Sequence, residues 1–338
     1  MHILYYTQWI IMTCTGIFPK VYHKVVNFFP RVIVCCLCLP LSLVLLLFWP
    51  LFYAIRKCQV MKDNLLEFEN EIAIVAIIKN EAPYIREWIE YHRALGVRKF
   101  YLYDNESTDE TKELLNPYIE RNEVVYQWFP GKTMQTSAYN HAVKHYKNNT
   151  RYMAFIDADE FMISTRIDSK ADDIIKGIFA KRPYSAGIGV TWLIYGSSGY
   201  LKKPDGLVLE NYLQRSETNF IRNKHIKAIA NPRFIWYYGH AHFPVYRFGC
   251  ISINCENELM IGPYSFHNYN NKRPEFCLQH YITKSLKECQ DRCKLGRAGM
   301  AEPRPWEERF YDNDRNEVYD PIMLERIKYI REHKLSDL

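Results

Sequence analysis

Two unlike patterns of apolar and polar positions follow one another along the first half of the chain. From Val32 to Ile55 no charge interrupts an apolar run, and at about 1.5 Å of rise per residue such a run predicts a helix that crosses a bilayer. The earlier apolar stretch from Ile3 to Phe18 is broken by Gln8, Thr13 and Thr15, a pattern that suits an interfacial segment. After a polar stretch over 58–70, a second rhythm begins. Residues 72–78 (IAIVAII) are continuously apolar and rich in β-branched side chains, the signature of a strand buried on both faces of a parallel sheet. A helix is predicted from Pro83 to Leu95, ended by Gly96. Residues 100–103 (FYLY) predict a second strand. Ser107 and Glu110 have capping-box spacing and open a helix buried through Leu114, Leu115 and Ile119. A third strand over 124–126, a helix over 136–146 and a fourth strand over 152–156 (YMAFI) complete the series.

This alternation is that of a doubly wound α/β sheet, in which ligands bind beyond the carboxyl ends of the strands. Asn80 and Glu81, Asp104 and Asn105, and residues 157–160 all stand at such ends. Beyond residue 165 the alternation loosens into a helix over 171–180, a strand over 186–193, a loop of glycine and serine at 196–199, short strands and a late helix over 282–295.

Composition narrows the class. A chain of 338 residues with 48% hydrophobic content buries a large core. Its net charge of +6 comes from Lys and Arg scattered along the sequence, so no nucleic-acid footprint is expected. Lys20, Lys24 and Arg31 precede the apolar run and Arg56, Lys57 and Lys62 follow it. The positive-inside rule is therefore tied, and the expected single-pass protein faces either the cytoplasm or the Golgi lumen. Among the five cysteines of the C-terminal half, Cys250, Cys255, Cys277, Cys289 and Cys293, no C-x-x-C pair marks a zinc site.

The sharpest chemical signal is Asp157-Ala158-Asp159-Glu160 directly after a predicted strand. Two carboxylates one residue apart converge on a hard cation, and Mn²⁺ or Mg²⁺ bound there bridges to substrate phosphates. A carboxylate after the second strand, Asp104, suits a nucleoside, and Asn80, Glu81 and Asn105 stand beside it.

The sequence from about residue 74 to 299 resembles the family 92 glycosyltransferases, which include plant galactan synthases, and more broadly the family 2 class of the GT-A fold. The likeness rests on K-N-E at 79–81, E-W-I-E-Y-H at 87–92, L-G-V at 95–97, Y-D-N-E-S-T-D at 103–109, F-I-D-A-D-E-F at 155–161, W-L-I-Y-G-S-S-G at 192–199 and H-Y-I-T-K-S at 280–285. It implies an α/β GT-A enzyme, a mixed sheet flanked by helices behind an N-terminal transmembrane helix. That enzyme moves a sugar from a nucleotide sugar, UDP-linked by expectation, to a glycan acceptor with inversion. The resemblance carries nucleoside recognition onto Asp104, and Asn80, Glu81, Asn105, Asp157 and Lys284 are the other donor-binding candidates. It carries the metal onto Asp157, Asp159 and His280. Glu210 and Glu217 are candidates for the catalytic base, and Trp192, Gly196, Ser198 and His242 for the acceptor site. His240 and His242 form an H-x-H pair whose spacing suits a metal on a strand, with a packing or acceptor-site role the favoured expectation. The expected layout is an N-terminal segment (1–31), transmembrane helix (32–55), stem (56–70), donor-binding half (71–165), acceptor-binding half (166–300) and C-terminal tail (301–338), with membrane lipid as a partner. A non-catalytic scaffold of the same fold and a nucleotidyltransferase are the alternatives. The latter calls for a glycine-rich phosphate loop, and residues 72–81 contain no glycine.

Overall fold

The computed structural model describes residues 31–260, 262–265, 273–295 and 305–338, with the side chains of 31–46 outside that description. The interfacial segment expected before residue 31 lies outside it too. Four parallel strands form the framework: β1 (Asn70–Ile78), β2 (Lys99–Asp104), β3 (Val124–Trp128) and β4 (Thr150–Phe155). They lie in the order β3-β2-β1-β4. Because β2 flanks β1 on one side and β4 on the other, the winding reverses between β1 and β4, and a crevice opens there beyond the strand ends. Helices α2 (Ile85–Ala94), α3 (Thr111–Glu120) and α4 (Gln135–Tyr146) connect these strands.

The unbroken apolar run of β1 serves two cores. Ile72, Ile74, Ala76 and Ile78 pack with Trp88 and Ile89 of α2, while Ala73, Val75 and Ile77 pack with Ala138 and Tyr139 of α4. Each of the isoleucine and valine side chains contributes about 1.5–3 kcal/mol on full burial. His92, buried on the same helix, belongs to this packing. Its Nδ1 donates to the Trp88 carbonyl (2.8 Å), its Nε2 accepts from the Met162 amide (3.4 Å), and burial lowers its pKa to about 3.

The second half finishes the sheet with shorter strands. β8 (Ile226–Ala230) runs antiparallel to β4, and β6 (Gly187–Ile194), β11 (Ser252–Asn254) and β12 (Leu259–Met260) follow outward. A side branch holds the site together: β13 (Phe276–His280) lies between β5 (Glu160–Ser164), antiparallel, and β6, parallel. That register pairs His280 with Glu160 on one side and Ile194 on the other.

Three expectations change. The helix after β2 starts at Thr111, and no capping box forms. Ser107 Oγ accepts instead from the Asn80 amide (2.9 Å), and Asp109 Oδ1 accepts from the Thr111 amide (3.1 Å). Residues 56–63, expected in a free stem, are the last turns of helix α1 (Arg31–Asp63), fixed to the body where the Asp63 carboxylate takes Arg233 (2.6 and 2.8 Å) and Asn231 (2.6 Å). Gly249 permits this seat, since a Cβ there would meet the Phe52 carbonyl carbon at 2.5 Å. The expected C-terminal tail is integral: Met323, Ile327 and Ile330 of the helix Ile322–Glu332 enter the main core, and Val318 pairs with Arg215. Among the described residues no helix is long and apolar enough to cross a membrane. Much of the span expected over 32–55 falls on residues whose side chains lie outside the description.

Candidate functional site

Two adjoining cavities of about 700 and 230 Å³ open beyond the ends of β1 and β4, sharing Asp159, Ile282, Arg292 and Arg309 as a wall. The larger is of the size that takes a small-molecule ligand. Its carboxylates come from the turn after β4. The backbone bends there because the Glu160 amide bonds the Asp157 carbonyl (3.1 Å) and Glu160 Oε2 accepts the Asp157 amide (3.0 Å).

The two aspartates of this turn have different surroundings. Asp157 accepts from Gln135 Nε2 (2.8 Å) and the Tyr139 hydroxyl (3.2 Å), both on α4. Its other oxygen lies 2.8 Å from Nζ of Lys227, a β8 residue only 1% exposed. The same ammonium lies 3.6 Å from the fully buried Glu160. Burial, reinforced by Asp157 and Asp159, pushes the Glu160 carboxyl well above the usual range against the pull of Lys227. Burial would lower the Lys227 ammonium, but Asp157 and Glu160 outweigh it and raise it. Asp159 instead faces the second half of the chain. Its Oδ1 lies 3.5 Å from His280 Nε2, and its carbonyl accepts the Tyr281 amide (2.9 Å). Burial would raise this carboxyl, but His280, Lys284 and Arg292 hold it well below the carboxylate range.

A cationic wall continues into the smaller cavity. Arg292 pairs with Glu81 (2.7 Å) and donates to the Lys79 carbonyl (3.0 Å). Burial raises the Glu81 carboxyl against the pull of Arg292 and Lys284. Lys284 lies over the Tyr84 ring at 4.1 Å, and buried Arg309 donates to the Ile282 carbonyl (3.0 Å). On the far wall, Trp192 packs edge-on against His280 (4.3 Å) and His242 (4.9 Å).

The structure therefore brings Asp157, Asp159, His280, Trp192 and His242 to the large cavity, and Asn80, Glu81 and Lys284 to the small one. Other expected site residues lie elsewhere. Asp104 is buried with its oxygens on the Ser107 amide (2.8 Å) and the Tyr126 hydroxyl (2.9 Å). Asn105 braces the Phe129 and Gly131 carbonyls. Gly196 packs against the Arg315 backbone and the Ser198 amide bonds Asn316 (2.8 Å), so the G-S-S-G loop fastens the C-terminal segment. Glu210 pairs with Arg331 (2.6 Å), Glu217 is exposed, and neither lines these cavities. Sequence reading missed Lys227, Arg292, Arg309, Gln135 and Tyr139. Only Lys227 left a signal, a lone charge inside the apolar run of β8.

A divalent cation fits this donor set in part. Among the described residues no group of three His, Cys, Asp or Glu side chains that could hold a metal is assembled, because Asp157 is turned to Lys227. Asp159 and His280 do set one oxygen and one nitrogen side by side, a mixed pair that suits Mn²⁺ better than Mg²⁺, which takes oxygen ligands, with substrate phosphates and water to complete the shell.

Residues 75–319 match the model of glycosyltransferase family 92. A family 92 protein of Oryza sativa subsp. japonica is 24% identical over 258 residues, 72% of this chain and 43% of that protein. One of Arabidopsis thaliana is 32% identical over 101 residues, 30% of this chain and 18% of that protein. The chain spans less than half the length of these curated relatives. Among solved structures, Staphylococcus aureus TarS 1–349 in complex with UDP aligns with TM-score 0.33 and 13% identity over 48% of this chain and 47% of that one. Glucosyl-3-phosphoglycerate synthase of Mycobacterium tuberculosis aligns with TM-score 0.31 and 11% identity, over 64% and 77%. With the family match running from β1 to the last short strand, the chain belongs to glycosyltransferase family 92.

Proposed function

We propose that this protein transfers a sugar, with inversion, from a nucleoside-diphosphate sugar to a glycan hydroxyl, using a divalent cation held by Asp159 and His280. The observation that carries this is the junction of the two cavities, where Asp159, Arg292 and Arg309 form the shared wall, with His280 on the large side and Lys284 on the small one. Such a wall suits a diphosphate, whose charge grows as the glycosidic bond breaks. A bound cation would supply Lewis-acid stabilisation of that charge. Lys284 and Arg292 orient the phosphates, and Trp192 offers an apolar face to a sugar ring. UDP is the nucleotide implied by the family resemblance, and the apolar run over 32–55 anchors the chain in a membrane.

The test is a screen of UDP-hexoses and UDP-N-acetylhexosamines with Mn²⁺, reading UDP release by the full chain and by Asp159→Asn. Release by the wild type and not by the variant is expected. Equal release by both would refute the assignment of Asp159.

A further inference from the structure

His242 and His240 are two residues apart, yet hydrogen bonding gives their rings opposite proton placements. His242 Nδ1 lies 3.0 Å from the Ile226 carbonyl oxygen. A carbonyl only accepts, so Nδ1 carries the proton and Nε2 keeps a free lone pair. His240 Nδ1 instead accepts the His242 amide at 3.3 Å, so its proton resides on Nε2. Of the H-x-H pair, then, only His242 can present a basic nitrogen from Nε2. Both rings line the large cavity with Asp157, Asp159 and Trp192. The indole of Trp192 relates His242 to the donor end, since it touches His242 at 4.9 Å and His280 at 4.3 Å.

The neighbouring groups keep this imidazole neutral. Burial lowers its pKa well below the ordinary histidine value, and Lys227, His240 and His225 push the same way. Lys227 is itself tied to Asp157 and Glu160. The carboxylates at this cavity are otherwise engaged, Asp157 by Lys227, Gln135 and Tyr139 and Asp159 by His280, and Glu81 of the adjoining cavity is engaged by Arg292.

We propose that His242 is the general base of the transfer, taking the proton of the acceptor sugar hydroxyl on Nε2. The acceptor oxygen bonds to the anomeric carbon as that carbon's bond to the β-phosphate oxygen breaks. The electron pair leaves with the nucleoside diphosphate, beside Lys284 and Arg292. The proton stays on His242, making an imidazolium that later releases it to solvent. This assignment rests on the functional reading above and names the base that reading lacks.

The experiment compares full-chain wild type, His242→Gln and His240→Gln on the UDP-sugar that the wild type turns over with Mn²⁺. Water, hexose-terminated oligosaccharides and azide serve as nucleophiles. UDP affinity in Mn²⁺ is read alongside by calorimetry. For His242→Gln, transfer to hydroxyl acceptors and water is expected to fall by about 10²–10⁴-fold. UDP affinity should stay within about threefold, and so should transfer to azide, which brings no proton to remove. His240→Gln should lose less than about tenfold with any nucleophile. Hydroxyl transfer surviving in His242→Gln would overturn the inference. So would loss of UDP affinity or of azide transfer along with it, since either makes His242 a structural residue. Absence of turnover by the wild type across all donors would overturn the functional reading, and this inference with it.

Discussion

The two halves of the molecule contribute opposite charges to one site. Residues 71–165 supply the carboxylates Glu81, Asp157, Asp159 and Glu160, all at or just past the ends of β1 and β4. The later half supplies Lys227, His280, Lys284, Arg292 and Arg309. Neither half is a site alone: carboxylates this close and this buried require the partner cations, and the cations require them. The difference also separates the two aspartates of one tripeptide. Asp157 is committed to an internal lysine, whereas Asp159 sits with a histidine where a metal and a diphosphate can join it.

The largest effect expected across this junction comes from Asp159→Ala, which should reduce sugar transfer by about 10³-fold with the circular dichroism spectrum unchanged. Lys227→Met attacks the other aspartate. It leaves Asp157 and Glu160 facing each other without their cation, and the unfolding free energy in urea should fall by about 3–5 kcal/mol. If Asp157 and Lys227 act mainly on one another, adding Asp157→Asn to Lys227→Met should recover part of that loss.

A pH effect is expected where the halves are clasped structurally. Glu87 on α2 accepts the Val208 and Leu209 amides, both at 2.9 Å, and burial, opposed by those amides, raises its pKa from 4.5 to about 7. The folded state therefore binds this proton more tightly than the unfolded chain. The resulting stability is fully present below about pH 4.5 and is lost as pH rises through about 7. The stability difference between wild type and Glu87→Gln should therefore shift by about 3 kcal/mol between pH 4 and pH 8, in favour of the variant at high pH. Urea denaturation at the two pH values measures it, and a constant difference would contradict the assignment. The smallest effect belongs to Glu210→Gln. It removes an exposed pair with Arg331 and should change stability by less than about 1 kcal/mol, with transfer retained.

The unequal legibility of the halves has a physical origin. Residues 72–78 declare a doubly buried strand because every position must be apolar, and the turn after β4 is marked by charges where that run stops. Short-range rules fail as soon as partners are distant. Ser107 and Glu110 match a capping box, yet the Asn80 amide, 27 residues away, takes the serine hydroxyl. In the second half β7 (Gln214–Arg215) and β12 are two residues long, too short to show a period. Lys227 reaches Asp157 across 70 residues, and His280 reaches Asp159 only because β13 inserts between β5 and β6. Glu210 and Glu217, the expected base candidates, follow the G-S-S-G loop in sequence. That loop turns to the C-terminal segment, which no periodicity reveals.

The central claim is that Asp159 and His280 hold a divalent cation that receives the nucleoside diphosphate. Calorimetric titration of UDP into the full chain tests it, with Mn²⁺ and then with excess chelator, for the wild type and for Asp159→Asn. Binding by the wild type that requires Mn²⁺ and weakens by about tenfold or more in the variant is the predicted result. Equal affinity with and without metal, in both proteins, would contradict it.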